Sequence, residues 1–357
     1  MNIAIILGTR PEIIKMSPII RELVNCGDNY FVIHTGQHYS HNMDRVFFEQ
    51  LKIPNAKYNL EIGSGSHGEQ TSKMLVGIEK VLLNEKPDAV LVQGDTNTVL
   101  AGALAASKLR IKTGHVEAGL RCYDRQMPEE INRVLTDHCS DYLFAPTEKA
   151  KALLLTEGIS REMIYLTGNT VVDAVYQNLE LARDNADILN KLNLKPKEYF
   201  LLTTHRQENV DNASNFCSIL KGLNELASVY KLPICYPIHP RSRKMMAEFK
   251  LNSGNIRLMD PLDYFDFLQL EDKAKLIFTD SGGVQEESCV LNVPCITLRD
   301  NTERPETLEV GANILAGAIS SKILECANVM LRKTNGWHNP FGDGHAGEKI
   351  IAILKGA

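Results

Sequence analysis

Short apolar runs alternate with longer amphipathic stretches from one end of this chain to the other, and that rhythm leaves few folds open. Strand patterns fall at Ile3–Leu7, Tyr30–Thr35, Ala89–Gln93, Thr113–Val116, Tyr142–Ala145 and Ile164–Leu166. A second series follows at Phe200–Thr204, Ile234–Ile238, Ile256–Leu258, Leu276–Thr279, Cys295–Leu298 and Asn313–Leu315. Helical patterns lie between them, among them Ile13–Val24, Gln70–Leu83, Thr98–Lys108, Ala213–Tyr230 and Ser320–Leu331. Strands that alternate with helices imply parallel sheets covered on both faces. A chain of 357 residues exceeds what one hydrophobic core normally serves. The expected fold is therefore α/β, with two doubly wound, Rossmann-like domains facing a cleft at the carboxyl ends of their strands. Residues 1–168 would form the first, and 169–342 the second. The boundary follows Gly168 and the polar helical stretch Leu179–Leu194, which ends in "LKPKEY". A last helix at 343–357 would pack back on the first domain.

Charge and composition exclude several functions. A net charge of -5 argues against nucleic-acid binding, which favours basic chains. No apolar run approaches the ~20 residues of a membrane span, and Ile3–Leu7 is too short for a signal peptide, so the cytoplasm is the expected compartment. The eight cysteines are scattered without a CxxC pair and are read as reduced thiols. "GSGSHG" (Gly63–Gly68) matches the dinucleotide pattern GxGxxG but does not follow the first strand, and no acid ends a strand about twenty residues on. It is set aside as a nicotinamide-cofactor site. His34, His38 and His41 should not share a helix face, so no metal site is expected there. "SGGVQEES" lacks the GxxxxGK[ST] of a P-loop.

Cations nevertheless gather at strand ends. In "LGTRPEIIK", Gly8 permits a tight turn and Pro11 suits the first helical position. Arg10 and Lys15 then sit beside a helix N-terminus, whose free N–H groups and dipole favour an anion. Pro18, inside the same helical pattern, predicts a kink. In "VQGDTNT", Asp95 ends a strand and Thr96 can cap the next helix. "GHVEAGLR" places Glu117 and Arg121 after the following strand, and "MPEEINR" opens a helix with Glu129, Glu130 and Arg133. Acidic groups from three loops thus meet at one sheet edge, where neighbouring carboxylates raise one another's pKa. In the second half, "TTHRQEN" carries His205 and Arg206. "FTDSGGVQEES" ends a strand with Ser281, Gly282 and Gly283, whose backbone an anion can approach closely. Glu287, about one turn in, stands where the two hydroxyls of a ribose could be accepted. Arg299 and Arg304 lie in the loop "LRDNTERPE".

Taken together, "GTRPEIIKMSP", "TGQH", "VQGDTNT", "GHVEAGLR", "PEEINR", "TGNTVVDA", "THRQEN", "YPIHPR", "TDSGGVQEE", "RDNTERPE" and "NPFGDG" resemble the non-hydrolysing UDP-N-acetylglucosamine 2-epimerases over essentially the whole chain. The resemblance implies a glycosyltransferase-B-like architecture, a homodimer, no cofactor, and epimerisation at C2 through elimination and re-addition of UDP. It implies that Arg10, Lys15, His205, Arg206, Ser281, Gly282, Gly283, Glu287 and Arg304 bind UDP, and that the backbone at Phe267 meets the uracil. Asp95, Glu117 and Glu129, with His205, would serve the chemistry. Glu129 is preferred to Glu130 because it directly follows Pro128. Bacterial members can bind a second UDP-N-acetylglucosamine as an activator. Gln70 and His239 are the regulatory candidates, although "SGSHGEQ" departs from the loop of some members. The rival readings are a UDP-sugar-dependent glycosyltransferase of the same fold and a catalytically silent UDP-sugar sensor.

Overall fold

The computed structural model describes residues 1–36, 47–185, 187–333 and 336–356, and divides into two compact units. The first comprises Met1–Tyr176 and Phe341–Ala357, the second Gln177–Pro340. The division falls inside a helix, Thr170–Asn185, which begins earlier than the polar stretch suggests. His38 and His41 lie outside the described residues.

The first unit is built on seven strands: β1 Asn2–Leu7, β2 Asn29–His34, β3 Tyr58–Asn59, β4 Ala89–Gln93, β5 Lys112–Val116, β6 Tyr142–Ala145 and β7 Ile164–Leu166. They pair in parallel in the order β3-β2-β1-β4-β5-β6-β7. Ile3 to Leu7 are completely buried, as a strand covered on both faces requires. On one face Ala4, Ile6, Val90 and Val92 pack with Met74, Ile78 and Leu82 of helix His67–Glu85. The two-residue β3 escapes the sequence pattern because it is too short to show a period.

Helix Arg10–Cys26 runs on through Pro18. Proline removes the N–H that the carbonyl of Ile14 would have accepted. The Ser17 hydroxyl donates to that carbonyl instead, at 2.8 Å. Beside Pro18 lies the last helix, Ala346–Gly356, so close that a Cβ at Gly347 would stand 3.2 Å from the Pro18 carbonyl carbon. Asp173 holds that helix by its start, accepting from the Gly347 N–H at 2.9 Å.

Six strands make the second unit: β8 Phe200–Thr203, β9 Ile234–Pro237, β10 Ile256–Met259, β11 Leu276–Thr279, β12 Cys295–Thr297 and β13 Asn313–Leu315. Their order is β10-β9-β8-β11-β12-β13, again parallel throughout. Alternate residues serve opposite cores. Phe200 and Leu202 pack with Phe216 and Leu223 of helix Ala213–Tyr230, whereas Tyr199 and Leu201 pack with Leu270 and Val284. Among the described residues no helix is long and apolar enough to cross a membrane.

The strand order of each sheet therefore reverses between two adjacent strands, β1 and β4 in one and β8 and β11 in the other. Such switch points leave a crevice at the carboxyl ends where ligands bind.

The turn after β5 is tightly constrained. Gly119 has φ +84°, and a Cβ there would lie 2.5 Å from the Ala150 carbonyl oxygen. Gly119→Ala is expected to cost roughly 1–3 kcal/mol of stability through backbone strain and that clash. Urea unfolding measures it; a change below about 0.5 kcal/mol would show that the turn relaxes freely.

Candidate active site

At the β1/β4 switch point the chain approaches itself closely. A Cβ on Gly8 would meet the Thr35 hydroxyl oxygen at 2.1 Å, which is why only glycine fits. The turn's N–H groups are not free. Glu12, in the first turn of helix Arg10–Cys26, accepts from Gly8 N–H at 2.5 Å and from Thr9 N–H at 3.1 Å with one carboxyl oxygen. Its other oxygen accepts from the Thr96 hydroxyl at 2.5 Å. Thr96 stands at the N-cap position of helix Asn97–Lys108, but its side chain serves Glu12 rather than capping that helix. The expectation of open amides at this turn is thus corrected: a carboxylate already occupies two of them.

Glu12 is buried, and burial pushes its carboxyl up from 4.5 to about 7 against the hydrogen bonds from Thr96, Gly8 and Thr9, with neighbouring Asp95 adding to the rise.

The cations of this unit face the acids. Lys15 donates to Glu117 at 2.5 Å, and the Gln93 amide donates to the same oxygen at 3.0 Å. Glu117 adopts a left-handed φ of +71°, unusual for a residue with a side chain, and such strain concentrates at functional sites. Asp95 pairs with the Arg133 guanidinium, and its carbonyl accepts from Asn132 at 3.0 Å. Arg133 also donates to Glu130 at 2.8 Å. Glu130 is buried and accepts from the N–H groups of Cys122 and Tyr123, so it ties down the preceding loop. Glu129 is exposed, and its side chain forms no hydrogen bond or ion pair with the described residues. That leaves Glu129 available where Glu130 is committed. The Arg10 guanidinium lies over the Phe47 ring, 5.7 Å from its centroid. Gln70 is buried, donating to Gly63 O at 2.9 Å and accepting from Asn97 at 3.3 Å.

The second unit has its own cluster at the β8/β11 switch point, organised by a residue that no motif singles out. Asp280 is fully buried. It accepts from the Thr204 hydroxyl at 2.5 Å, from the N–H groups of His205 and Arg206 at 3.1 and 3.0 Å, and from Asn209 at 3.1 Å. The His205 ring stays half exposed, Nδ1 3.5 Å from Asp280, and lies 5.5 Å from the His239 ring. His239 accepts from the Arg241 N–H at the start of helix Pro240–Glu248. Burial, then His205 and Arg241, lower its pKa.

Ser281 precedes helix Gly282–Val290, whose first-turn amides have no partner within the helix. The arginines beside it are paired. Arg304 donates to buried Glu286 at 2.7 Å; Arg299 and Arg206 donate to Glu303 at 2.9 and 3.3 Å. Burial alone would raise the Glu303 carboxyl, but Arg304, Arg299 and Arg206 together hold it well below the usual range. Glu287, nearly buried, accepts from the Tyr264 hydroxyl at 3.4 Å. Behind it lies buried Glu271, raised well above the usual range by burial and by Glu287. Phe267 donates its N–H to Asp263 O at 3.0 Å within helix Tyr264–Lys273 and packs against the core.

The structure thus brings Asp95 and Glu117 to adjacent strand ends, each facing a cation, and groups His205, Arg206, Ser281 and Arg304 around Asp280 and Glu303. Glu12 carries one sequence signal, the T-x-x-E spacing of a capping box from Thr9. Asp280 carries none beyond its place at the start of "DSGG". Among the described residues no group of three metal-binding side chains occurs.

Glu12 makes a pH prediction. Its folded pKa is raised, so its contribution to stability is complete below about 4.5 and is lost as pH rises through about 7. Urea unfolding of the native chain should show a decline over that window that Glu12→Gln lacks. Parallel curves would show that Glu12 ionises as freely in the fold as out of it.

Residues 24–355 match the family model described as UDP-N-acetylglucosamine 2-epimerase. A UDP-N-acetylglucosamine 2-epimerase of Methanocaldococcus jannaschii is 59% identical, over 99% of this chain and 99% of that one. A UDP-2,3-diacetamido-2,3-dideoxy-D-glucuronate 2-epimerase of Pseudomonas aeruginosa is 41% identical over 99% of each chain. The crystal structure of the M. jannaschii UDP-GlcNAc 2-epimerase with UDP-GlcNAc and UDP superposes with a TM-score of 0.93 at 58% identity, covering all of both chains.

Proposed function

Because this chain belongs to the UDP-N-acetylglucosamine 2-epimerase family, we propose that it interconverts UDP-N-acetylglucosamine and UDP-N-acetylmannosamine by eliminating and re-adding UDP. The observation that carries the reading is the pair of carboxylates at neighbouring strand ends, Asp95 and Glu117, each held by a cation.

The chemistry explains why such a pair is needed. Inverting C2 means losing and regaining a hydrogen on carbon. In the intact sugar no carbonyl neighbours C2, so that hydrogen is barely acidic. A general base contributes only about 10²–10⁴-fold in rate, too little for deprotonation first. Departure of UDP from C1 leaves positive charge on C1 and the ring oxygen, and that charge acidifies the C2 hydrogen. Loss of the C2 proton gives a 1,2-unsaturated sugar and UDP. Reprotonation from the opposite face and return of UDP to C1 then give the epimer. Stabilising the departing diphosphate is the largest contribution an active site can make to this route.

In this reading Arg10, His205, Arg206, Arg304 and the first-turn amides of Gly282 and Gly283 receive the diphosphate. Glu287 accepts the ribose hydroxyls, and the segment around Phe267 meets the uracil. Asp95, Glu117 and Glu129 exchange the C2 proton. Lys15, which the sequence groups with the phosphate contacts, pairs with Glu117 and orients it. The product would supply surface-glycan precursors. Homodimer formation, and activation by a second UDP-N-acetylglucosamine near Gln70 and His239, belong to the same proposal.

Two measurements test it. Turnover of UDP-N-acetylglucosamine in D₂O, followed by NMR, should give the manno epimer with deuterium at C2. Product without deuterium would sink the elimination route, and transfer to an acceptor without epimer would favour a glycosyltransferase. Replacing Asp95→Asn should lower turnover by on the order of 100-fold or more with UDP affinity retained. Equal loss of both would move Asp95 into binding.

A further inference from the structure

Between the turns that carry Asp95 and Glu117 lies a histidine that the reaction scheme does not use. His115, on β5, is completely buried. Its Nδ1 is 2.6 Å from an oxygen of Asp137, and its Nε2 is 2.8 Å from the carbonyl oxygen of Gly94. A carbonyl can only accept, so Nε2 carries a proton. Asp137 faces further donors with its second oxygen, the Gly119 N–H at 3.2 Å and the Arg121 guanidinium at 2.7 Å. A carboxyl beside a guanidinium stays ionised and accepts, so Nδ1 carries a proton as well.

We propose that His115 is a buried imidazolium that acts as a positioning residue for the epimerisation, locking the Gly94–Asp95 turn and the Glu117–Gly119 turn to one anchor, Asp137. The proposal rests on the activity argued above, but the charge state does not. The first turn is caught from two sides. Gly94 gives its carbonyl to His115 and its N–H to Val116 O at 3.1 Å. Gly119 gives its N–H to Asp137 in a conformation that a side chain would strain. Asp95 directly follows Gly94 and Glu117 stands two residues before Gly119, so the spacing of the two carboxylates is set by a rigid ring and a carboxylate. A neutral imidazole would leave one contact without a proton, acceptor facing acceptor in a dry interior, and that turn would be released.

The groups around the ring form an alternating chain: His115, Asp137, Arg121, Glu157 and His138, the last with Nε2 3.7 Å from Glu157. Burial would raise the Asp137 carboxyl, but His115 and Arg121 together bring it below the ordinary range.

The test is ¹⁵N NMR of the histidine-labelled protein. The His115 ring is identified by the signals that His115→Gln removes, or by triple-resonance assignment of the native chain should that variant not fold. Both ring nitrogens of His115 should report attached protons in the native fold. A ring with one bare nitrogen at pH about 7 overturns the charge assignment, whatever the enzyme proves to catalyse. On the kinetic side, His115→Gln should lower kcat on the order of 100-fold through misplaced carboxylates while UDP affinity is unchanged. Unchanged kcat, or parallel loss of kcat and UDP affinity, overturns the positioning role.

Discussion

In both sheets the crevice at the switch point is closed by one buried carboxylate, and the rest of the site is arranged around it. Strands covered on both faces leave their backbone polar groups only one outlet, the carboxyl edge, where successive loops part company. Amides exposed there, away from water, need acceptors. In the first unit Glu12 supplies one, joining the turn after β1 to Thr96 after β4. In the second, Asp280 after β11 gathers the hydroxyl and amides of Thr204, His205 and Arg206 after β8. The two clasps are built from opposite sides of their crevices, yet they join the same pair of loops in each fold.

Charges next to these clasps are compensated within the protein. Lys15 is matched to Glu117, Arg133 to Asp95 and Glu130, Arg304 to Glu286, and Arg299 to Glu303. Buried pairs of this kind add little net stability, because desolvation offsets most of the attraction. Their value lies in orientation. A guanidinium already fixed by a carboxylate loses less freedom when it meets a second anion. This also reconciles an acidic chain with the anionic substrate proposed for it: positive charge is placed, not accumulated.

Much of this is legible in the amino-acid sequence. Ile3–Leu7 and Phe200–Leu202 announce themselves because double coverage makes each a continuous apolar run. The glycines of "TDSGG" and the acids of "GHVEAG" mark turns where a side chain or its absence matters. Three kinds of feature stay hidden. Tyr58–Asn59 is too brief for periodicity. Glu12 resembles an ordinary first-turn acid, and its partner Thr96 lies on another loop. Whether a cation is free or neutralised depends on contacts such as Lys15 with Glu117, made between residues 102 positions apart, which no local pattern encodes. In the same way Pro18 announces a missing N–H, but the Ser17 hydroxyl that serves the Ile14 carbonyl in its place is a contact, not a pattern.

Helix Ala346–Gly356, seated against Pro18 and tethered by Asp173, belongs to the same unit as β1, far behind it in the sequence. Synthesis runs from one end, and domains ordinarily fold as they emerge. Here the whole of Gln177–Pro340 must leave the ribosome before the first unit receives its closing piece. The first unit is therefore completed only after the second has been made, and until then the surface that Ile350, Ile351 and Leu354 will cover stays open to chaperones and proteases.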